Sequence, residues 1–235
     1  MVDQLPEELR AVKTQLKAFI NEVVIPSEPE LMSEDANSER VAAELKTKAK
    51  EAGLWALGHP SEIGGGGLPF MDFVYLNEVI GRSHWGQWAV GSLSMQDSIM
   101  LHLYASDEQR ERFLKPLVAG EIYPSVGLTE PEVAGSDPTQ MQATAVLDGD
   151  EWVISGHKWF TSGANRAAFT TVFAITEPDA EKHNKFSSII VPTDTDGYEI
   201  VRVVPTMGHT GGNHCEVNYN DVRVPYENLL GGRGQ

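Results

Sequence analysis

Cysteine is nearly absent. Cys215 stands alone in 235 residues, which excludes an intramolecular disulfide framework and any multi-cysteine metal site. Its thiol is expected to be structural, and the scarcity fits a reducing compartment. Long hydrophobic runs are missing as well: none approaches the roughly 18–20 apolar residues that span a bilayer. The start, residues 1–10, is charged and periodic, unlike a signal peptide. A soluble, cytoplasmic protein with no membrane partner is expected. Positive charge is scarce too. Eighteen Lys and Arg against 34 Asp and Glu give a formal charge of −16, which disfavours nucleic acid or an anionic membrane as the main partner.

Several catalytic signatures are also missing. The glycine tract 64–67 is not a dinucleotide loop, because Pro69 stands where the third glycine of Gly-x-Gly-x-x-Gly would fall, and no Gly-Lys-Ser/Thr follows. A turn between helices is the reading taken. Gly231-Gly232-Arg233-Gly234 lacks the strand-then-helix context of a phosphate loop. The closest histidines, His209 and His214, have no obvious third ligand, so no metal site is expected. A Gly-x-Ser-x-Gly nucleophile elbow is absent.

What is present is ordinary globular material, 41% hydrophobic and 22% charged, long enough for one large domain or two small ones. The first half has helical rhythm. Leu5, Leu9, Val12, Leu16, Phe19, Ile20 and Val23 form one apolar stripe on a helix that Pro26 should end. Val41, Leu45 and Ala49 repeat the spacing until Gly53, and Phe70, Phe73, Val74, Asn77 and Ile80 until Gly81, with each glycine where a helix C′ position expects one. Residues 84–104 are apolar nearly all round, as in a centrally buried helix whose Trp88 and Met95 read as core. Ser106 to Gln109 reads as a capping box opening a helix that ends near 116–120.

After Gly120 the period changes. Alternation in 140–147 and 152–157 around Asp148-Gly149 predicts a hairpin with a type I′ turn. Strand-like runs follow at 170–175, 186–191, 198–204 and 215–224, separated by turn chemistry at 177–179, 194–197 and 208–213. In the last run Cys215, Val217 and Tyr219 share one apolar face. The fold class expected is α+β: an N-terminal all-α domain, 1–121, then a β-barrel-like or sandwich domain, 122–235.

Two segments stand out. Residues 127–137, Gly-Leu-Thr-Glu-Pro-Glu-Val-Ala-Gly-Ser-Asp, run from an apolar strand into a loop of small and hydroxylated residues whose amides could meet an anion. Residues 156–164, Gly-His-Lys-Trp-Phe-Thr-Ser-Gly-Ala, place Trp159 and Thr161 on one face of an extended chain, a flat ring beside a hydroxyl. Taken singly, the first is a turn and the second a core tryptophan of a β domain.

Together they resemble a known family. The first segment is similar to the Thr-Glu-Pro-x-Ala-Gly-Ser-Asp signature of acyl-CoA dehydrogenases and the second to their Lys-x-Trp-x-Thr segment, in the family's order and at about its spacing. Residues 52–69, 112–122 and 217–230, with Asp-Val-Arg-Val-Pro at 221–225, also resemble that family. The likeness covers essentially the whole chain. One departure is Glu132-Val133, where many members carry a single glycine. Another is that the family's second helical bundle, which completes the flavin site and in many members supplies a glutamate base, has no counterpart before Gln235.

The resemblance implies an FAD-dependent enzyme of fatty-acid β-oxidation. In that family a carboxylate takes the α proton of an acyl-CoA thioester while hydride passes to flavin N5, giving the trans-2-enoyl product. It implies flavin contacts from Val126, Gly127, Leu128, Thr129, Gly135, Ser136, Trp159, Phe160 and Thr161, with Ser136 also near the CoA side and Thr161 near N5. It further implies electron-transfer flavoprotein as acceptor and assembly into dimers or tetramers. No residue matches the family's base, so the catalytic residue is left unassigned. An acyl-CoA oxidase or flavin monooxygenase on the same fold, and a non-catalytic binding or assembly subunit, stand as alternatives.

Overall fold

The computed structural model describes residues 6–33, 36–207 and 213–234; Leu5, His209 and the 208–212 part of the glycine-rich separator lie outside them. The chain divides into two compact units. One comprises the residues up to His102 with Leu114–Glu121, and the other Leu103–Phe113 with the residues from Ile122 onward.

The helical unit begins with α1 (Glu7–Phe19), which continues through a π-helical turn (Ile20–Val24) into α2 (Ile25–Leu31). Pro26 therefore does not end the helix. A proline inside a helix lacks the N–H that would bond four residues back, and its ring collides with that carbonyl. The wide turn before it, in which the Ile25 N–H reaches the Ile20 carbonyl, resets the ladder so that Pro26 falls in the first turn of α2. The same device recurs where Arg110–Leu114 form a π turn ahead of α8 (Lys115–Val118) and Pro116.

Leu9, Leu16, Phe19, Ile20, Val24 and Leu31 from this first rod join Val41, Leu45 and Ala49 of α3 (Ala36–Glu51) in one core. On α4 (Phe70–Ile80) the buried row is Phe73, Leu76, Val79 and Ile80, while Phe70 and Val74 are exposed beside Met71 and Tyr75. The expected stripe thus mixed two faces, because a helix apolar on both sides does not announce which one packs. Gly53 has the left-handed φ of +67° that the C′ role demands; Gly81, at −69°, does not.

The buried helix expected over 84–104 is two helices, α5 (Gly86–Ala89) and α6 (Met95–Tyr104). Gly91 breaks it: its φ is +68°, and a Cβ there would stand 2.6 Å from the Trp55 ring. Only Ser98 and Leu101 of α6 are buried, and Leu103 and Tyr104 are exposed, so the all-round apolar sequence covers a one-sided helix. Trp88 and Met95 pack on the core. The glycine tract folds back on the preceding segment as a turn, with Gly66 N–H bonded to the Ala56 carbonyl (2.9 Å) and Gly67 N–H to the His59 carbonyl (2.9 Å). Ser106 caps α7 (Asp107–Gln109) through the expected reciprocal box. Gln109 also donates to the carbonyls of Glu227 (2.8 Å) and Leu229 (3.0 Å).

Among the described residues the second unit holds a mostly antiparallel sheet of eight strands: β1 (Pro124–Gly127), β2 (Thr144–Asp148), β3 (Glu151–Ser162), β4 (Phe169–Ile175), β5 (Phe186–Pro192), β6 (Tyr198–Val203), β7 (His214–Pro225) and β8 (Leu229–Leu230). The order is β6-β7-β3-β2-β4-β5-β8. Both β1 and β2 run parallel to β4, opposite β5, and the Ser125 hydroxyl reaches the Ser162 carbonyl of β3 (2.8 Å). The sheet thereby curls over a core that includes Trp152, Ile154, Val172, Ile189, Cys215, Val217 and Tyr219. The α+β expectation of helices followed by a β domain holds. The β2–β3 turn differs in type: Asp148 pairs with Glu151, and of the two central residues only Gly149 has positive φ, the pattern of a II′ turn and not I′. Among the described residues no helix is long and apolar enough to cross a membrane.

Candidate functional site

Val126 and Gly127 lie on β1, in register with Thr171 and Val172 of β4. Leu128 and Thr129 carry the chain onward past β3, where the Trp159 N–H bonds the Thr129 carbonyl (3.0 Å). The anchor of this segment is a buried ion pair. Lys158 and Glu130 have side-chain exposures of 0% and 2%, with Nζ 2.9 Å from Glu130 Oε1 and 2.9 Å from the Leu128 carbonyl. The carboxylate also accepts the N–H groups of Gln142 (2.7 Å) and Ala143 (2.9 Å). Two buried charges are tolerable only when paired and hydrogen-bonded like this. Burial pulls the Lys158 ammonium below its ordinary range, opposed by the Glu130 carboxylate.

A β-bulge shapes the second segment. Lys158 pairs with Val217 and Thr161 with Cys215, so three steps on β3 match two on β7. The extra residue sits in the stretch of Phe160, whose φ is +51°. Because opposed residues share a face, Lys158 and Thr161 both point with Cys215 and Val217 into the core. Trp159 and Phe160 lie together on the other side, their ring centroids 4.6 Å apart. The expectation that period-two alternation puts Trp159 and Thr161 on one face is therefore wrong, since the bulge changes the count between them. The Thr161 hydroxyl is fully buried and has no hydrogen-bond partner among the described residues. Phe160 is 44% exposed.

The loop 131–137 closes on the same strand. Gly135 packs so tightly on Thr129 that a Cβ would lie 2.6 Å from its methyl group. Ser136 is exposed. Asp137 caps the short turn Pro138–Gln140, its carboxylate accepting from the Thr139 N–H (3.1 Å) and hydroxyl (2.5 Å). The Thr139 hydroxyl, with Gln140, holds this carboxyl below its usual range. Glu132, one of the two departing residues, meets His157 Nδ1 (2.7 Å), and His157 Nε2 meets Glu216 (3.0 Å). Glu216 in turn accepts from Arg202 (2.5 Å).

The fold thus brings the sequence-derived residues 126–129, 135–136 and 159–161 around one stretch of β3. Four further residues, which the sequence pattern does not single out, are brought to the same stretch: Glu130, Lys158, His157 and Glu216. Glu130 and Lys158 stand inside the two signature segments, and that adjacency was the available signal. Nothing local couples His157 to Glu216, which is 59 residues away. His214 contacts the Ser162 hydroxyl (2.7 Å). Cys215 is buried, and burial pushes its thiol up, away from the reactive thiolate.

Comparison with known proteins identifies both units. The model of the acyl-CoA dehydrogenase N-terminal domain matches residues 6–121, and that of the acyl-CoA dehydrogenase middle domain matches residues 125–222. FadE2 of Mycobacterium tuberculosis is 37% identical over 235 aligned residues, which cover 94% of this chain and 57% of that protein. The structure of an acyl-CoA dehydrogenase homologue from Mycobacterium abscessus superposes with a TM-score of 0.90 at 33% identity, covering 97% of this chain and 61% of that one. The ChsE4-ChsE5 complex of Mycobacterium tuberculosis gives a TM-score of 0.81 at 29% identity, over 98% and 57% of the two chains. The chain thus spans less than two thirds of the length of each of these proteins.

Proposed function

Because this chain belongs to the acyl-CoA dehydrogenase family, we propose that it carries the flavin-facing part of an FAD-dependent enzyme converting an acyl-CoA thioester to its trans-2-enoyl product. The observation that carries this reading is the convergence of residues 126–129, 135–136 and 159–161 on one stretch of β3, with the Trp159–Phe160 ring pair on one face and, on the other, the Thr161 hydroxyl buried without a partner among the described residues. A buried hydroxyl left unpaired costs about 1–3 kcal/mol, which a ligand with a complementary polar atom would offset. The residues present fit a flavin. Trp159 and Phe160 offer ring surface, residues 126–129 a rigid backbone edge, and Gly135 and Ser136 a loop of small residues, with the Thr161 hydroxyl on the opposite face of β3.

Bound FAD would supply the acceptor for the hydride leaving the acyl β-carbon. The chain's own part is to position and to exclude water. Lys158, by gripping the Leu128 carbonyl and Glu130, fixes the 126–130 edge against β3. Ser136 is assigned to the pyrophosphate and CoA side. No carboxylate of this chain is assigned as the base. The reading further includes electron-transfer flavoprotein as electron acceptor, a homo-oligomeric assembly and a cytoplasmic location.

The test is an absorbance spectrum of the complete enzyme titrated with FAD, followed by anaerobic addition of an acyl-CoA thioester. Saturable flavin binding and bleaching of the flavin band support the reading. Absence of saturable binding, with no bleaching in the complete enzyme, overturns it.

A further inference from the structure

His157 lies on β3 opposite Asn218, one residue before Lys158 and therefore on the other face of the strand. Both of its ring nitrogens meet carboxylates, Nδ1 at 2.7 Å from Glu132 and Nε2 at 3.0 Å from Glu216. A neutral imidazole has one N–H and satisfies one of them, leaving its other nitrogen lone pair against a carboxylate oxygen. The imidazolium alone donates to both. The two acids are not equivalent. Glu216 sits in the β7 ladder and is held independently by Arg202 of β6 (2.5 Å), whereas Glu132 projects from the loop and is half-exposed.

Resting on the flavin reading above, we propose that His157 is a positioning residue: its imidazolium latches the 131–137 loop through Glu132, and loss of its proton releases that loop from β3. The loop carries Gly135 and Ser136, and Gly135 packs directly on Thr129. A shift at Glu132 therefore reaches the edge assigned to the flavin. The groups that face His157 are Glu132 from the loop and Glu216 from β7, with Arg202 of β6 behind Glu216 and the neutral Asn218 opposite. The cation nearest in sequence, Lys158, is turned into the core. Partial burial draws the imidazole down, but the hydrogen bonds to Glu132 and Glu216 outweigh it and hold His157 above its ordinary value. The latch is thus fully closed below the ordinary imidazole range and opens as pH rises through the elevated folded value. Glu132, where the sequence departs from the family signature, acquires a role.

Hydrogen exchange of the 235-residue chain between about pH 6 and pH 9, corrected for intrinsic rates, tests the latch. Amides of residues 132–137 should lose protection by about fivefold as His157 deprotonates. The step should vanish in Glu132→Gln and in His157→Gln, two partly exposed substitutions that leave the sheet core untouched. A wild-type chain without the step, or an equal step in Glu132→Gln, overturns the proposal. Fluorescence titration with FAD across the same range separates the two readings. Affinity that weakens with the same midpoint supports the latch acting on the flavin edge. FAD that binds neither this chain nor the complete enzyme at any pH refutes the flavin reading, while the exchange step still judges the latch.

Discussion

At Thr161 a hydroxyl is buried by a bulge and left without a partner among the described residues, a local cost that invites removal. Thr161→Val keeps the shape and deletes the orphan. In the ligand-free protein it should therefore raise stability by about 1 kcal/mol in urea denaturation, while FAD affinity in a titration falls by about fivefold. Opposite signs in the two measurements are the signature of a binding group; equal signs would make the hydroxyl merely structural. Lys158 should behave in the reverse way. Lys158→Met strands Glu130 as a buried, half-compensated charge and should cost about 3 kcal/mol of stability, tempered by the two backbone N–H groups that Glu130 keeps. Replacing both partners with apolar residues should recover part of that loss.

At the scale of elements, sequence periodicity located nearly every helix and strand but misjudged the points where one residue alters the count. Pro26 read as a stop because a proline ordinarily ends a helix, and only the π turn before it shows how the rod continues. Phe160 read as one more step of an alternating strand because nothing in its side chain announces a φ of +51°. Phe160→Gly relieves that conformation while removing an exposed ring, so stability should change by less than about 1 kcal/mol, measured by thermal melting. In α6, burial pushes the Asp97 carboxyl up to about 6, against the pull of its own backbone N–H. The folded state then holds a proton that the unfolded chain has released, so stability falls as pH rises from the ordinary 3.8 to about 6 and stays low above it. Asp97→Asn should flatten that slope and be more stable at neutral pH by on the order of 2 kcal/mol, as urea titrations at several pH values would show.

For the whole molecule, the two units have separate cores, and the segment Leu103–Phe113 belongs with the sheet although it is helical and precedes the first strand. If FAD binds the β unit as proposed, calorimetry should show flavin raising the transition of that unit and not that of the helical one. The expected gain is about 2.7 kcal/mol at a hundredfold excess over the dissociation constant. A flavin effect on the helical transition alone would count against the site at 126–161.

The sequence by itself determined the class, the order of helices and strands, the family and the two segments that converge, because burial periodicity and short signatures are local properties of the chain. The tertiary structure decided which face of α4 packs, how Gly91 divides the helix near Trp55, and where Thr161 points. It also decided that Lys158 closes on Glu130 and that His157 bridges Glu132 and Glu216. The ion pairs and the Thr161 face depend on side chains 25 to 59 residues apart meeting across a curled sheet and on a bulged residue that shifts a register, and the helical outcomes on which neighbouring helix is packed against. Pairings of that kind are fixed by the strand partner, which no local pattern names.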